Sequence, residues 1–377
     1  MSGPLAGVRV LEIASIGPAP FAGMMLSDLG AEVLRIDRPV ASAPAVPGPR
    51  RLLSRGRRSV ALDLKRTEAV ALLLELVEHS DVLIEGFRPG VAERLGIGPN
   101  VCLERNPRLV YGRMTGWGQD GPLAPAAGHD INYIALTGAL AAIGPHEAPI
   151  APLNLVGDFG GGGMLLAVGV LAALVERGAS GAGQVVDAAM VDGAALLMTM
   201  FYEMRNADTW TVSRESNLLD GGAPFYGVYE TADARFVAIG ALEPQFFQEL
   251  LTVLDIDASA SAQHDRSAWP RLRNQIASAI RTRTRDDWEN MFAGRDACVA
   301  PVLTIDEAPM HPHNRARGAF IAGEFGWEPA PSPRFGRTPA DGLPSQVDDG
   351  EGLTQLLSAW DIPDDLVERL LAVQAIT

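Results

Sequence analysis

Cysteine is nearly absent: 377 residues carry only Cys102 and Cys298. Two thiols exclude a disulfide framework and the paired spacings of a zinc site, so both read as small buried residues of a reducing compartment. Basic charge is also short. A formal net charge of −15 argues against a nucleic-acid partner, whose phosphates ask for a basic surface. No apolar run reaches the ~18 residues of a membrane span; the longest, Met164 to Val175, reads as a buried helix. Met1-Ser2-Gly3-Pro4 lacks the basic and apolar regions of an export signal, and Ala375-Ile376-Thr377 is not a peroxisomal address. The expectation is a cytoplasmic chain with no membrane and no nucleic-acid partner.

Nucleotide fingerprints are missing as well. Ser15-Ile16-Gly17-Pro18-Ala19-Pro20 stands where a G-x-G-x-x-G turn would follow the first strand, and Gly160 to Gly163 lacks the Lys-Ser/Thr of a P-loop.

What is present alternates. Val8 to Ala14, Ala31 to Asp37, Ser59 to Leu64, Asp81 to Phe87, Leu109 to Thr115 and Gln184 to Asp187 read as strands. Helical spacing over Phe21 to Leu29 and Arg66 to His79 separates the early ones. This pattern predicts an α/β fold with a parallel, doubly wound sheet, whose ligands lie beyond the carboxyl ends of its strands. Ala188 to Met204 reads as one helix, its methionines chiefly core, with a pliable acyl lining as the alternative.

The texture then changes. The Rossmann-like region over 1–204 gives way to a polar linker at 205–224 and a smaller α+β region at 225–303. That region opens on a hairpin signal and ends on a strand that Pro301 confines to an edge. A Pro-rich return path at 304–346 leads to 347–377, whose helix Asp364 to Val373 docks back on the large region. Within the return path, Pro309 and Pro312 prevent Glu307, His311 and His313 from sharing a helix face, which argues against a metal site.

The chemistry concentrates between Gly128 and Met164. His129 and Asp158 each follow a glycine, and Gly160 to Gly163 lead into the apolar run. Glycines admit a close ligand, and a helix start faces negative charge with free N–H groups. Two bases and such a helix start are the parts for removing a proton next to a carbonyl. Taken singly, each also has a plain reading as a cap or a loop. Arg35, Arg38, Arg50, Arg51, Arg55, Arg57, Arg58, Arg88 and Arg94 gather in the first hundred positions. They form either a solvated basic loop or a cradle for a phosphate-rich ligand.

Further stretches carry a resemblance. They are Gly3-Pro4-Leu5, Asp28-Leu29-Gly30-Ala31, Arg35-Ile36-Asp37-Arg38-Pro39, Glu85-Gly86-Phe87-Arg88-Pro89-Gly90 and Thr115-Gly116-Trp117-Gly118-Gln119. Gly128-His129-Asp130-Ile131-Asn132-Tyr133, Gly157-Asp158, Asp187-Ala188-Ala189-Met190, Gly222-Ala223-Pro224-Phe225-Tyr226 and Glu243-Pro244-Gln245-Phe246 complete the set. On these the chain resembles the family III CoA-transferases, and within them the α-methylacyl-CoA racemases. The resemblance implies an interlocked homodimer, with each site between the large domain of one copy and the small domain of the other. It implies His129 and Asp158 on opposite faces of an acyl-CoA thioester, with Glu243 of the other copy orienting His129. Arg38, Arg58, Arg88 and Arg94 would hold the CoA phosphates. CoA is part of the substrate, and no metal or redox cofactor is implied. The rival is CoA transfer between carboxylic acids, in which Asp158 attacks the thioester and forms an anhydride. A non-catalytic acyl-CoA carrier is the third reading.

Overall fold

The computed structural model describes residues 2–39, 52–257, 263–323, 326–339, 353–372 and 376. Most of the loop from Val40 to Arg58, with Arg50 and Arg51, lies outside them. The chain forms two compact units. The first comprises Met1–Thr137, Leu153–Leu197 and Ala322–Thr377, the second Gly138–Pro152 and Met198–Ile321.

The first unit is built on β1 (Arg9–Ile13), β2 (Glu32–Asp37), β3 (Arg57–Ala61), β4 (Val82–Glu85), β5 (Val110–Thr115) and β6 (Gln184–Ala189). All pairings are parallel and the order is β3-β2-β1-β4-β5-β6. Adjacent residues of a strand feed opposite faces, and the two cores follow that rule. Leu11, Leu34, Leu83 and Tyr111 join the helix Thr67–Glu78 on one face. Val10, Val33, Val82 and Val110 join Leu166 and Val170 on the other. Trp360 and Val367, around the C-terminal helices, complete the first of these cores, and Ile376 bridges to Leu62. The C-terminal helices therefore pack with the large sheet.

Three local expectations are corrected. Ala188 to Met204 is not one helix: β6 pairs with β5 as far as Ala189, and two helices follow, Met190–Leu197 and Thr199–Asn206. Strand pairing overrides the helix propensity of Ala and Met. Of its methionines Met190 is buried, whereas Met200 is 47% exposed. Cys298 is exposed, on a backbone with φ of 51°, and only Cys102 is buried.

The third correction concerns the apolar run. The helix begins at Leu155 rather than Met164 and continues to Ser180, π-type up to Met164 and α-type after it. At 26 residues it is the one helix among the described residues long and apolar enough, by length and composition, to cross a membrane. Its Leu166, Ala167, Val170 and Ala173 are buried in the second of the sheet's two cores.

The second unit holds the antiparallel strands β7 (Tyr226–Glu230), β8 (Phe236–Gly240) and β9 (Val299–Pro301), in that order. Helices Pro244–Val253, Trp269–Ile280 and Arg285–Phe292 supply Phe247, Leu250, Ile276 and Trp288 to its core, beside Phe225 and Tyr229. Pro301 sits on the edge strand, where its missing N–H is harmless. The return path carries more structure than its prolines suggest, with a helix at Pro312–Arg317 and the pair β10 (Phe320–Gly323) and β11 (Gly326–Pro329).

Candidate active site

The order of the large sheet reverses between β1 and β4, and a cavity of about 480 Å³ opens past the carboxyl ends of β1, β4 and β5. Ile16 and Gly17 line it after β1, Phe87 and Arg88 after β4, and Gly116 and Trp117 after β5. His129, Tyr133, Asn154 and Asp158 close it, and every lining residue belongs to the first unit.

His129 is the N-cap residue of the helix Asp130–Leu136, with extended backbone. Its N–H donates to Asn132 Oδ1 at 3.1 Å, and its carbonyl accepts from the Asn132 N–H at 2.8 Å. Both bonds fix the backbone and leave the imidazole exposed at the cavity. The plain reading as a cap and the functional one describe the same residue.

Asp158 stands in the first turn of the helix that starts at Leu155. π-Turns recur at functional sites because they widen the backbone locally. The Asp158 N–H donates to Asp130 Oδ2 at 2.7 Å, and its carboxylate accepts from Asn154 Nδ2 at 3.0 Å. Burial raises the Asp158 pKa above the ordinary carboxylate range, and the charge of Asp130 adds to the rise. The Asn154 amide and His129 oppose it. His129 and Asp130 thus both act electrostatically on Asp158.

The two glycines make room for the protein's own side chains. A Cβ on Gly157 would stand 2.5 Å from Asp130 Oδ2, and one on Gly128 would stand 2.7 Å from the Tyr133 ring. Tyr133 packs edge-on against Trp117 with centroids 4.7 Å apart, and its hydroxyl donates to the Gly128 carbonyl.

The glycine run also has a different role from the one its sequence suggests. Gly160 to Gly163 lie inside the helix, and the N–H groups of Asp158 and Phe159 are already taken by Asp130 and Asn154. Free N–H groups of a helix beginning after Asp158, expected to hold the thioester oxygen, are therefore not found there. The run instead allows close packing: a Cβ on Gly193 would fall 1.8 Å from the Gly161 carbonyl oxygen.

The arginines separate into two groups. Arg35, Arg55 and Arg57 are buried and paired with Asp37, Asp28 and Glu12. Arg38, Arg88 and Arg94 are exposed and Arg58 is half-buried. Among these four Arg88 lines the cavity, and the other three do not. Glu243 is the exposed N-cap residue of the helix Pro244–Val253 in the second unit and is not among the lining residues. Glu307 is held by Arg285 at 2.9 Å, and His311 faces Glu289 at 2.9 Å.

Sequence reasoning did not assign Asp130 or Asn154. Signals for both exist. Asp130 adjoins His129, and Asn154 precedes Asp158 by four positions, the spacing of neighbours on one helix face.

The fold and this site place the chain in a class: it belongs to CoA-transferase family III, whose sequence pattern matches residues 5–348. Within that class it is 44% identical over 97% of its length to the α-methylacyl-CoA racemase of Mus musculus, covering 96% of that protein. With the Homo sapiens α-methylacyl-CoA racemase the identity is 42% at the same coverage. The succinyl-CoA–D-citramalate CoA-transferase of Chloroflexus aurantiacus is 32% identical over 84% of this chain and 83% of its own. A solved CAIB/BAIF family protein from Brucella suis shares the fold, with TM-score 0.78, 23% identity and coverage of 97% of this chain and 100% of that one. Rv3272 of Mycobacterium tuberculosis superposes with TM-score 0.74 at 27% identity, over 92% of this chain and 98% of that one.

Proposed function

We propose that the chain interconverts (R)- and (S)-2-methylacyl-CoA thioesters by proton transfer through an enolate. The observation that carries this reading is the shared cavity of His129 and Asp158, with the Asp158 carboxyl biased toward its protonated form. One group takes the α-proton, and the C–H electron pair moves onto the thioester oxygen. The other returns a proton to the opposite face. A carboxyl whose pKa is raised by burial holds a proton more readily and suits the donor role, and an imidazole suits the base.

Glu243 of a second copy orients His129 in this reading, so each site needs two chains. Apolar side chains left open on the long helix, Val168 at 61% and Val175 at 78% exposure, support such a partner. The stretches 205–224 and 304–346 are then the linkers that thread one copy through the other. Arg88 at the cavity, with Arg38, Arg58 and Arg94, meets the CoA phosphates. Proton transfer at carbon asks for no metal or redox group, and CoA arrives as part of the substrate. The reading also places the enzyme in the cytoplasm, with neither membrane nor nucleic acid as a partner.

The test is proton NMR of a single-enantiomer 2-methylacyl-CoA with the protein in deuterium oxide and no second acid. Loss of the α-proton signal with inversion is the expected result. No exchange until a free carboxylate is added, with CoA then moving to that acid, would replace this reading by CoA transfer through an Asp158 anhydride.

A further inference from the structure

Beside the cavity runs a chain of charges that the reaction does not use. Glu85, the last residue of β4, is fully buried. One carboxylate oxygen accepts the Phe87 N–H at 2.6 Å and the other accepts from Arg113 Nε at 3.1 Å. Arg113 lies directly across the sheet from Glu85, on β5. Its Nη1 reaches Glu93 Oε1 at 2.9 Å, on the short helix Val91–Arg94.

This chain is poorly explained as a stabilising device. Burial pushes the Glu85 pKa up to about 7, against the pull of the Phe87 N–H and of Arg113. Desolvation therefore outweighs pairing, and apolar residues of similar volume would hold the strands at least as well. A satisfied buried network fixes geometry instead. What it fixes is local: Phe87 and Arg88 line the cavity in the turn after Glu85, and Arg94 adjoins Glu93. The Arg94 guanidinium lies near Gly90, which joins that turn to the helix: a Cβ on Gly90 would stand 3.3 Å from its Nη1.

We infer that Glu85, Arg113 and Glu93 are positioning residues for the CoA end of the site: they lock the Gly86–Pro89 turn and the Val91–Arg94 helix, and so aim Arg88 and Arg94 at the CoA phosphates. The inference rests on the acyl-CoA reading of the same cavity. It assigns these residues to substrate grip, not to the proton transfers.

Calorimetric titration with free CoA tests it on the full-length protein, beside Glu85→Gln and Glu93→Gln variants. Misplacing a phosphate clamp by a fraction of an ångström is expected to weaken CoA binding about tenfold in Glu85→Gln and about threefold in Glu93→Gln. KM for a 2-methylacyl-CoA should rise in parallel, while kcat stays within about twofold. Adding Arg88→Ala to Glu85→Gln should cost less than the two changes made separately, since both remove one clamp. Unchanged CoA affinity in well-folded variants, or full additivity with Arg88→Ala, would overturn the inference. Should Glu85→Gln not fold, Glu93→Gln carries the same comparison, because the Glu93 side chain is 45% exposed. CoA binding by a wild-type protein that exchanges no α-proton would defeat the racemase reading and leave this one standing.

Discussion

The backbone N–H of Asp158 donates to the carboxylate of Asp130 at 2.7 Å, and the same carboxylate helps burial to raise the Asp158 pKa. One buried residue thus helps both to position another and to raise its proton affinity. Among the described residues Asp130 Oδ1 is buried without a hydrogen-bond partner.

Replacing Asp130 by Ala removes the acceptor and leaves the Asp158 N–H unpaired in a half-buried place. Thermal unfolding should show a loss of about 1–3 kcal/mol, the usual penalty for such an orphan. The Asp158 carboxyl should then titrate lower, and the α-proton exchange rate should fall. Wild-type stability in Asp130→Ala would refute the role given to this hydrogen bond.

The glycines make separate claims. Gly157→Ala drives a Cβ to 2.5 Å from Asp130 Oδ2, and Gly193→Ala drives one to 1.8 Å from the Gly161 carbonyl. Each should destabilise by roughly 1–3 kcal/mol, as overpacking does. Gly178 lies on the same long helix, and a Cβ there meets nothing within 4 Å. Gly178→Ala should therefore leave stability equal or raise it by up to about 1 kcal/mol. Denaturant midpoints of the three variants check the ranking.

Stability should depend on pH through Glu85. Its pKa rises from 4.5 to about 7 on folding, so the folded state binds the proton more tightly than the unfolded one. The resulting stabilisation is complete below 4.5 and is lost as pH rises through about 7. Melting of wild type beside Glu85→Gln should show the variant gaining relative stability across that window and levelling off above it, by an amount on the order of a few kcal/mol. A pH-independent difference would refute the assignment.

A partner copy should cover the exposed side of the long helix. Sedimentation of the wild type is expected at twice 40.0 kDa. Val168→Glu with Val175→Glu should shift it toward the single-chain mass and abolish exchange, because a charge buried in an apolar interface is costly. A dimer unaffected by both changes would place the interface elsewhere.

Much of this molecule is legible in its sequence, for identifiable reasons. The parallel sheet shows because both of its faces are apolar and turn residues punctuate it. His129 and Asp158 show because their motifs are compact, and the structure brings them to one cavity. Asp130 is only hinted at by its place beside His129, since the N–H it accepts belongs to Asp158, 28 positions away. Arg35, Arg55 and Arg57 look like a phosphate cradle but are buried against carboxylates up to 45 positions away. The start of the long helix is hidden because Gly160 to Gly163 resemble a loop. The close approach of Gly193, and of Pro18 and Phe21 to Gly163, reveals them as a packing surface. The exposure of Cys298 does not show, because composition says nothing about a backbone with φ of 51°.

The most direct test of the two-base account measures deuterium wash-in at the α-carbon of each enantiomer separately, with His129→Ala and with Asp158→Ala. The account predicts that each variant loses racemisation, by at least about a hundredfold. Each should still exchange the enantiomer whose face its remaining base serves, and the surviving enantiomer should differ between the two variants. Equal loss of exchange from both enantiomers in both variants would contradict the assignment of His129 and Asp158 to opposite faces.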